Sequence, residues 1–546
     1  MGHPLSDPWV LGLAASHNGA ACLMHGHRIV AAIQEERLTR RKYAPLVPAR
    51  EFRALDYVLD AAGIAVADLD LVVLCPLQPP SAPFNNLALH PRLGTRPRVT
   101  ISHHLGHAIG AHACSGFSDS MVLIVDAMGS RVDELPERER AVIRGAAIGR
   151  EVVSIYRASG ATVTPVEKHV AAHPDVDDDG DVRPRMFSYS SLGFMYQTVA
   201  EQVFGSWHDS GKLMGLAAHG SATIPESDYF SVVDGALRFE DHVPRKFRHA
   251  DRWPERRAEY TDLAASTQAA LESGLGVFVD RAAHNSSVRH LCYAGGVALN
   301  VTANERLLYR GGRFDDVFVM PAAEDCGTAI GAAFHGVWHL TSEHRPLRVP
   351  DDFLGRRYGT YPAGGARAKA DAAEVADLLA SGAIVGWFEG GSEFGPRALG
   401  HRSILADPRR ADVRAKLDAI KRREAFRPYA PAILEERAAE WFDLGETSAT
   451  SPLMLRAPAF LPGRRALVPA VVHVDGTGRV QTVPSGAGGL RDVLQAFEAA
   501  TGVPIVLNTS LNARGQPMVE TPDEALALLR EIQLDACVVD GRVYMR

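Results

Sequence analysis

The stretch Val10-Leu-Gly-Leu-Ala-Ala-Ser-His17-Asn-Gly-Ala-Ala-Cys-Leu-Met24-His-Gly-His-Arg28-Ile-Val-Ala-Ala-Ile33 holds three apolar runs and two turns. Val10–Leu13 leads through the first turn to Ala20–Met24, and His25–Gly26 turns the chain again into Arg28–Ile33. This pattern predicts two or three adjacent strands. Helical patterning follows over Arg50–Ala62, then short β-like runs at Leu71–Leu74 and Val122–Val125, apolar enough to lie in a central sheet. The start of the protein is therefore expected to be mixed α/β.

Further along, Pro174–Pro184 reads as an exposed loop. Its Asp175, Asp177, Asp179 and Gly180 imitate a calcium loop, but Met186 stands at the twelfth position, where a bidentate Glu is needed. Strands are expected again at Val288–Tyr293 and Val317–Met320, and chemistry tends to gather at such strand ends. Between Pro346 and Ala366 the chain turns rich in Pro, Gly and Arg, and helix-like Ala372–Ala380 opens a new α/β segment. That places a boundary between residues 1–355 and 356–546. The two strand-rich parts of the first segment read as a diverged duplication.

A chain of 546 residues calls for two or three domains, and 46% hydrophobic with 23% charged residues describes a folded protein with a large interior. The formal charge of -7 gives no general attraction to phosphate backbones, so nucleic acid is not an expected partner. Any anion must meet a local basic site. Six scattered cysteines, none in C-x-x-C spacing, read as buried thiols in a reducing compartment. Met1–Asp7 has no leader pattern and no run of about 18 apolar residues occurs, so a cytoplasmic protein without membrane spans is expected.

His103 and His107 stand four apart in His103-His-Leu-Gly-His107, a spacing that puts both imidazoles on one helix face, where they can share a metal ion. Histidines on a helix also serve as surface or capping residues. Asp126 ends the Val122–Val125 run and Asp325 ends the turn Pro321–Asp325. These carboxylates can complete a His₂Asp₂ set suited to iron, manganese or zinc, although both also fit helix N-caps.

Gly295-Gly296-Val-Ala-Leu-Asn300 follows a strand. Its paired glycines let a backbone approach a nucleotide, or simply form a tight turn. Gly211-Lys212-Leu-Met-Gly215 sets a cation between glycines, which fits phosphate contact and a solvated lysine alike. The densest signal is Glu389-Gly-Gly-Ser-Glu-Phe-Gly-Pro-Arg397-Ala-Leu-Gly-His-Arg402-Ser403, a glycine-rich turn with two arginines directly after Ile384–Phe388. Planar guanidiniums suit a triphosphate or carbamoyl phosphate. Lys421, Arg423 and Arg427 add positive charge, and Asn508-Thr509-Ser510-Leu-Asn512 supplies hydroxyls and amides at a strand end.

Together these stretches resemble the O-carbamoyltransferase family of nodulation, cephamycin and aminoglycoside tailoring enzymes. The likeness runs over nearly the whole chain. It rests on His17 in its turn, His103–His107, Ile124-Val-Asp126, Gly211–Gly220, Gly295–Asn300, Gly395–Ser403, Arg427-Pro and Asn508–Asn512, in that order. The resemblance implies an actin/hsp70/sugar-kinase-like (Kae1-like) N-terminal domain and an α/β YrdC-like C-terminal domain. The second would join carbamoyl phosphate and ATP, with Mg2+, into carbamoyl-adenylate, releasing pyrophosphate and phosphate. The first would pass the carbamoyl group to a hydroxyl of a small-molecule acceptor, an antibiotic or other natural product, and release AMP.

Carried over by motif, His17 is the base, and His103, His107, Asp126 and Asp325 hold a divalent metal, Fe2+ by family precedent. Lys212, Gly215, Gly295, Gly296 and Asn300 would line the adenylate site of the first domain. Arg397, Arg402, Lys421, Arg423, Arg427, Asn508, Thr509 and Ser510 would handle ATP and carbamoyl phosphate in the second. One residue departs from the pattern: Asn18 follows His17 where the family carries Asp, which removes an expected acidic partner for the imidazole. The family also implies a homodimer. Rival readings are a sugar-kinase-type phosphotransferase, which leaves the second domain without a task, and a catalytically inactive nucleotide- or metal-binding regulator. A third, tRNA threonylcarbamoylation, conflicts with the acidic balance. The Pro79–Arg98, Glu134–Arg144 and Pro174–Arg185 regions are expected to shape the acceptor pocket.

Overall fold

The computed structural model describes residues 6–46, 52–77, 91–145, 148–171, 190–240, 243, 251–284, 286–341, 352–359, 366–369, 371–445 and 450–546. The calcium-like loop, the whole Pro174–Arg185 region and most of the Pro79–Arg98 region lie outside these residues.

The opening stretch folds into β1 (Trp9–Ala15), β2 (Ala20–His25) and β3 (Arg28–Gln34), an antiparallel meander whose residues are almost all buried. β4 (Leu71–Pro76) and β5 (Arg98–Thr100) then add in parallel on the other side of β1. The resulting order is β3-β2-β1-β4-β5. A second sheet repeats it with β6 (Asp119–Val125), β8 (Arg150–Ser159), β9 (Thr162–Ala171), β12 (His290–Ala294) and β13 (Asp316–Val319), and β7 (Ile143–Gly145) is added at its edge. Its order β13-β12-β6-β8-β9-β7 keeps the same polarity, antiparallel from β6 to β9 and parallel from β6 to β13. A duplicated three-antiparallel, two-parallel sheet is the actin/sugar-kinase arrangement that the sequence led us to expect.

Each half ends in a helix, His103–Ser115 in the first and Thr328–Leu340 in the second, and the two helices pack together. Their crossing requires glycine, because a Cβ on Gly331 would lie 1.8 Å from the carbonyl oxygen of Gly106. The second helix also lies on β1, where a Cβ on Gly12 would meet the Ala329 oxygen at 2.1 Å. Both sheets face one continuous hydrophobic core through these helices, and burial of side chains such as Leu123, Ile124 and Phe334 contributes about 1.5–3 kcal/mol each. Between β9 and β12 come the helices Leu192–Phe204, Ser210–Ala217 and Arg257–His284, with a hairpin of β10 (Phe230–Val233) and β11 (Ala236–Phe239).

The remaining chain builds an α/β unit with its own core. Its strands are β14 (Ala366–Lys369), β15 (Val385–Phe388), β16 (Arg402–Ala406), β17 (Ala430–Leu434), β20 (Gln481–Val483), β21 (Ile505–Ser510), β22 (Ala536–Val539) and β23 (Arg542–Met545), ordered β14-β23-β22-β15-β16-β21-β17-β20. Phe442–Asp443 and Ala459–Phe460 form the short pair β18 and β19. The glycine-rich turn of residues 389–401 joins β15 to β16, and β21 runs beside β16 with Ser510 opposite Ser403. Two motifs more than a hundred residues apart are thereby brought to one place.

Polar contacts tie this unit to the first. Arg37 donates to the Gly395 oxygen at 2.7 Å, and Arg40 donates to the oxygens of Met518 and Pro517 at 2.6 and 2.9 Å. The buried Arg456 grips Glu305 through two hydrogen bonds of 3.0 and 2.9 Å. Among the described residues, no helix is long and apolar enough to cross a membrane.

Candidate active site

The helix His103–Ser115 starts directly beyond β5, and its first backbone amides need partners because no preceding turn supplies them. Ser130 Oγ accepts from the His103 amide and Glu151 Oε1 from the His104 amide, each at 2.9 Å. Behind this terminus the buried Lys168 ammonium binds Glu151 at 2.5 Å and Glu139 at 2.9 Å, and Ser102 Oγ donates to Glu139. The start of the helix is thus held in place by a charge cluster sealed from water.

Held this way, His103 and His107 face one point, with their Nε2 atoms 3.2 Å apart. Asp126, where β6 ends, sets Oδ2 at 3.6 Å from His103 and 3.5 Å from His107. Asp325, at the entrance to the Thr328–Leu340 helix, sets Oδ1 at 3.5 Å from His103. All four residues are buried, and one ligand atom of each lies within 4.8 Å of the others. Asp126 Oδ2 and Asp325 Oδ2 have no hydrogen-bond partner. Burial pushes Asp325 up, but His17 and His103 outweigh it and hold the carboxyl at about 2; His103 and His107 likewise hold Asp126 well below the ordinary range. Burial disfavours the imidazolium of His103, yet Asp325 and Asp126 hold it well above its usual value. A field that protonates a buried histidine is one that a cation can occupy instead. An orphaned Asp126 oxygen facing two imidazoles, with Asp325 Oδ1 beside His103, fits a divalent metal of the iron, manganese or zinc type.

His17 sits in the turn after β1, half-exposed, with Nδ1 3.3 Å from Asp325 Oδ2. Asp325 therefore supplies the carboxylate that residue 18 lacks, and the expected loss of an acidic partner is corrected. Asn18 turns instead to Glu324, donating from Nδ2 to Oε2 at 3.0 Å. Burial, with Glu36 nearby, pushes Glu324 up to about 7.

Gly295 has φ +91° and packs on Val125, where a Cβ would meet the carbonyl oxygen at 2.3 Å. Gly296 then donates its amide to Asp126 Oδ1 at 3.4 Å, so the glycine pair rests against the carboxylate of the cluster. Asn300 has another task. Its amide exchanges two hydrogen bonds with Gln268, and its oxygen also accepts from the Ala303 amide. Lys212 and Gly215 lie on the seam between the two parts: Lys212 bridges Asp209 and Glu424 at 2.9 and 3.1 Å, and Gly215 packs on Pro428 and Arg427.

Across the seam, Lys421 is buried with its ammonium on Ser510 and Asn512, whose oxygens lie 2.5 to 3.4 Å away. Burial, with Arg423 and Arg427 beside it, draws its pKa well down. The same burial and neighbours bring Arg423 to about 10. Arg427 reaches Glu424 at 3.5 Å, and Arg397 extends to the Leu299 oxygen of the first part. Thr509 pairs with Ile404 at the same strand end, and buried Asn508 holds Gln481 at 2.8 Å while its Oδ1 has no partner. Arg402 is a correction to the reading of the loop: fully buried on Phe388, it donates to the oxygens of Glu389, Gly390, His401 and Glu520. A guanidinium so occupied braces the glycine-rich turn.

The sequence matches the family description Carbamoyltransferase N-terminus over residues 9–78 and 93–334, and Carbamoyltransferase C-terminus over residues 376–546. The chain belongs to the carbamoyltransferase family. Nodulation protein NolNO of Sinorhizobium fredii is 33% identical over 96% of this chain and 78% of its own length. An uncharacterized protein of Synechocystis is 31% identical over 98% of this chain and 96% of its own. Among solved structures, HypF of T. kodakarensis aligns with 62% of this chain and 48% of its own, at 15% identity and a TM-score of 0.39.

In this carbamoyltransferase several site residues escaped the sequence. Burial among Arg397, Arg423 and Arg427 draws Arg479 well below the usual arginine value, and its Nε has no partner. It sits alone in Gly478-Arg479-Val480, with no motif to mark it. Tyr43, Trp207 and His208, grouped beside His17, are likewise isolated along the chain.

Proposed function

We propose that this carbamoyltransferase activates carbamoyl phosphate with MgATP in residues 356–546 and transfers the carbamoyl group to a hydroxyl of a small-molecule acceptor in residues 1–355. Hydrolysis of carbamoyl phosphate gives carbamate and phosphate; attack of carbamate on ATP gives carbamoyl-adenylate and pyrophosphate. Lys421, Arg423, Arg427 and Arg479 meet the phosphate oxygens, since four basic side chains crowded together in a net acidic protein favour an anion among them. Arg397 reaches from this cluster to Leu299, next to the turn that carries the glycine pair. That contact supports an internal route, which an anhydride prone to hydrolysis needs.

His103, His107, Asp126 and Asp325 would hold a divalent ion, iron by family precedent, as a Lewis acid that polarises the carbamoyl oxygen. The observation that carries the transfer reading is the placing of His17 against Asp325. With Nδ1 facing that carboxylate, Nε2 is left to take the proton of the acceptor hydroxyl, and Asp325 stabilises the imidazolium that forms. The hydroxyl oxygen bonds to the carbamoyl carbon, the bond to AMP breaks, and the proton leaves through His17 to solvent. The acceptor is an antibiotic or other natural product, the enzyme acts as a cytoplasmic homodimer, and its acidic charge argues against nucleic acid.

The test is incubation of the full chain with ATP, carbamoyl phosphate and Fe2+, with pyrophosphate and carbamoylated product followed separately. His17→Ala is expected to abolish product while pyrophosphate release continues. Equal loss of both would reject the base role.

A further inference from the structure

Glu393 takes no part in either proposed reaction, yet it is fully buried inside the glycine-rich turn between β15 and β16. Its Oε1 accepts three backbone N–H groups of that same turn, from Leu399 at 2.7 Å, His401 at 2.8 Å and Arg402 at 3.1 Å. Its Oε2 has no hydrogen-bond partner. Amides six to nine residues downstream are drawn to one oxygen, and residues 394–398 are closed into a loop that carries Arg397.

The place of that loop gives its closure a purpose. A Cβ on Gly395 would stand 3.3 Å from the Pro321 oxygen, so the loop packs on the turn that leads to Asp325. Arg37 donates to the Gly395 oxygen and the Phe394 amide to the Asp352 oxygen, each at 2.7 Å, while Phe353 stacks on His401 at 3.5 Å. These partners come from residues 1–355; Glu393 supplies the loop's hold on itself. Arg397 spans the seam between them. Its Nη2 reaches the Leu299 oxygen at 3.5 Å, its Nε has no partner, and Glu324 of the first part and Arg427 of the second both act on its charge. A side chain this long keeps one position only while its backbone does, and a displacement of about 1 Å can cost a reaction much of its rate.

We infer that Glu393 is a positioning residue for the passage of carbamoyl-adenylate: it locks the loop that sets Arg397 across the seam, and without it the adenylate escapes to water before transfer. This rests on the two-step function proposed for the chain. Escape ends in hydrolysis. Water bonds to the carbamoyl carbon, the bond to AMP breaks, and the carbamate released decays with a second water to ammonia and bicarbonate. Lys421, Arg423, Arg427 and Arg479 lie on other segments, so activation continues.

The test needs no acceptor. The full chain is given ATP, carbamoyl phosphate and Fe2+ alone, and pyrophosphate and AMP are followed in time. Wild type should release pyrophosphate in an initial burst and then slow, because the adenylate is retained. Glu393→Ala removes the acceptor oxygen, and Glu393→Asp keeps the charge but falls one methylene short. Both should go on releasing pyrophosphate and AMP at a steady rate roughly tenfold above wild type. Glu393→Gln, which keeps an oxygen at the same reach, should behave as wild type. Arg397→Ala should leak as Glu393→Ala does, and the double variant should leak no faster. Global misfolding lowers turnover, so a gain of this kind separates lost positioning from lost structure.

Steady rates in Glu393→Ala and Glu393→Asp equal to wild type, leakage in Glu393→Gln, or additive leakage in the double variant would overturn the inference. Loss of pyrophosphate release in Glu393→Asp would place the residue in activation and overturn it as well. Amide exchange over residues 394–402, read by mass spectrometry, stands apart from the activity. If wild type releases no pyrophosphate, the activation step falls. Fast exchange in Glu393→Ala with slow exchange in Glu393→Gln would then still assign the setting of the loop to Glu393, and slow exchange in both would remove that too.

Discussion

The two sheets of residues 9–319 share strand order and polarity but treat their first loop differently. In the first, β1 returns to β2 through four residues, Ser16–Gly19, so His17 is held at a tight turn and stays half-exposed. In the second, the equivalent strand β6 ends at Asp126 and the chain makes a long excursion before β8, which leaves Asp126 buried. The terminal helices differ in the same sense: the first opens on two histidines, whereas the second follows a carboxylate. Side chains at matching positions are therefore a half-exposed imidazole and a buried one on one side, and two buried carboxylates on the other. Duplication supplied two copies of a strand end and a helix start, and loop length decided which of them meets solvent.

The largest expected effect separates ligand from base. His103→Ala and Asp126→Ala should lose bound metal and lower transfer by roughly 10³-fold, as several kcal/mol of charge stabilisation disappears. His17→Ala should lose transfer and keep its metal by elemental analysis. Metal loss in all three would erase the contrast between the halves. Next comes the charge cluster found only behind the second sheet among the described residues. Lys168→Met strands Glu139 and Glu151 without a cation and should cost about 3–5 kcal/mol in urea unfolding. A smaller effect would show the cluster to be more hydrated than its burial implies.

Smaller again is Gly331→Ala, at the helix crossing shared by both halves. Overpacking there should cost about 1–3 kcal/mol and also weaken metal retention, because it prises the helix behind Asp325 from the one that bears His103. Calorimetry and metal analysis of one sample check both. The gentlest probe is acid. His112 donates from Nε2 to the Gly160 oxygen and accepts from Ser120 at Nδ1, and burial holds it at about 4. Its folded value lies below the unfolded 6.5, so the unfolded chain binds the extra proton first. Stability should fall as pH drops from 6.5 towards about 4, by at most about 1.4 kcal/mol per unit from this residue. His112→Gln should flatten that slope in a series of melting temperatures.

Much of this was readable before any coordinates. Histidines four apart reveal a shared face, and an acid at a strand end is visible as a break in an apolar run; so the cluster of two histidines and two aspartates was legible. The meander of residues 10–33 was legible for the same reason, turns between apolar runs. Partners were not. Asn300 and Arg402 are residue types that bind nucleotides, but sequence cannot show that one holds Gln268 and the other four backbone oxygens. Arg479, Tyr43 and Trp207 gain meaning only from distant neighbours, and so does the pairing of His17 with Asp325 across three hundred residues.

The grip of Arg456 on Glu305 carries a consequence for mechanics. A bidentate guanidinium–carboxylate clasp, sunk out of reach of salt, resists sliding as well as separation, because either motion leaves a bare charge in a dry place. The passage proposed for the reactive anhydride would then rely on side-chain rearrangement inside a fixed frame. Crowding agents or viscosity should leave such a passage untouched.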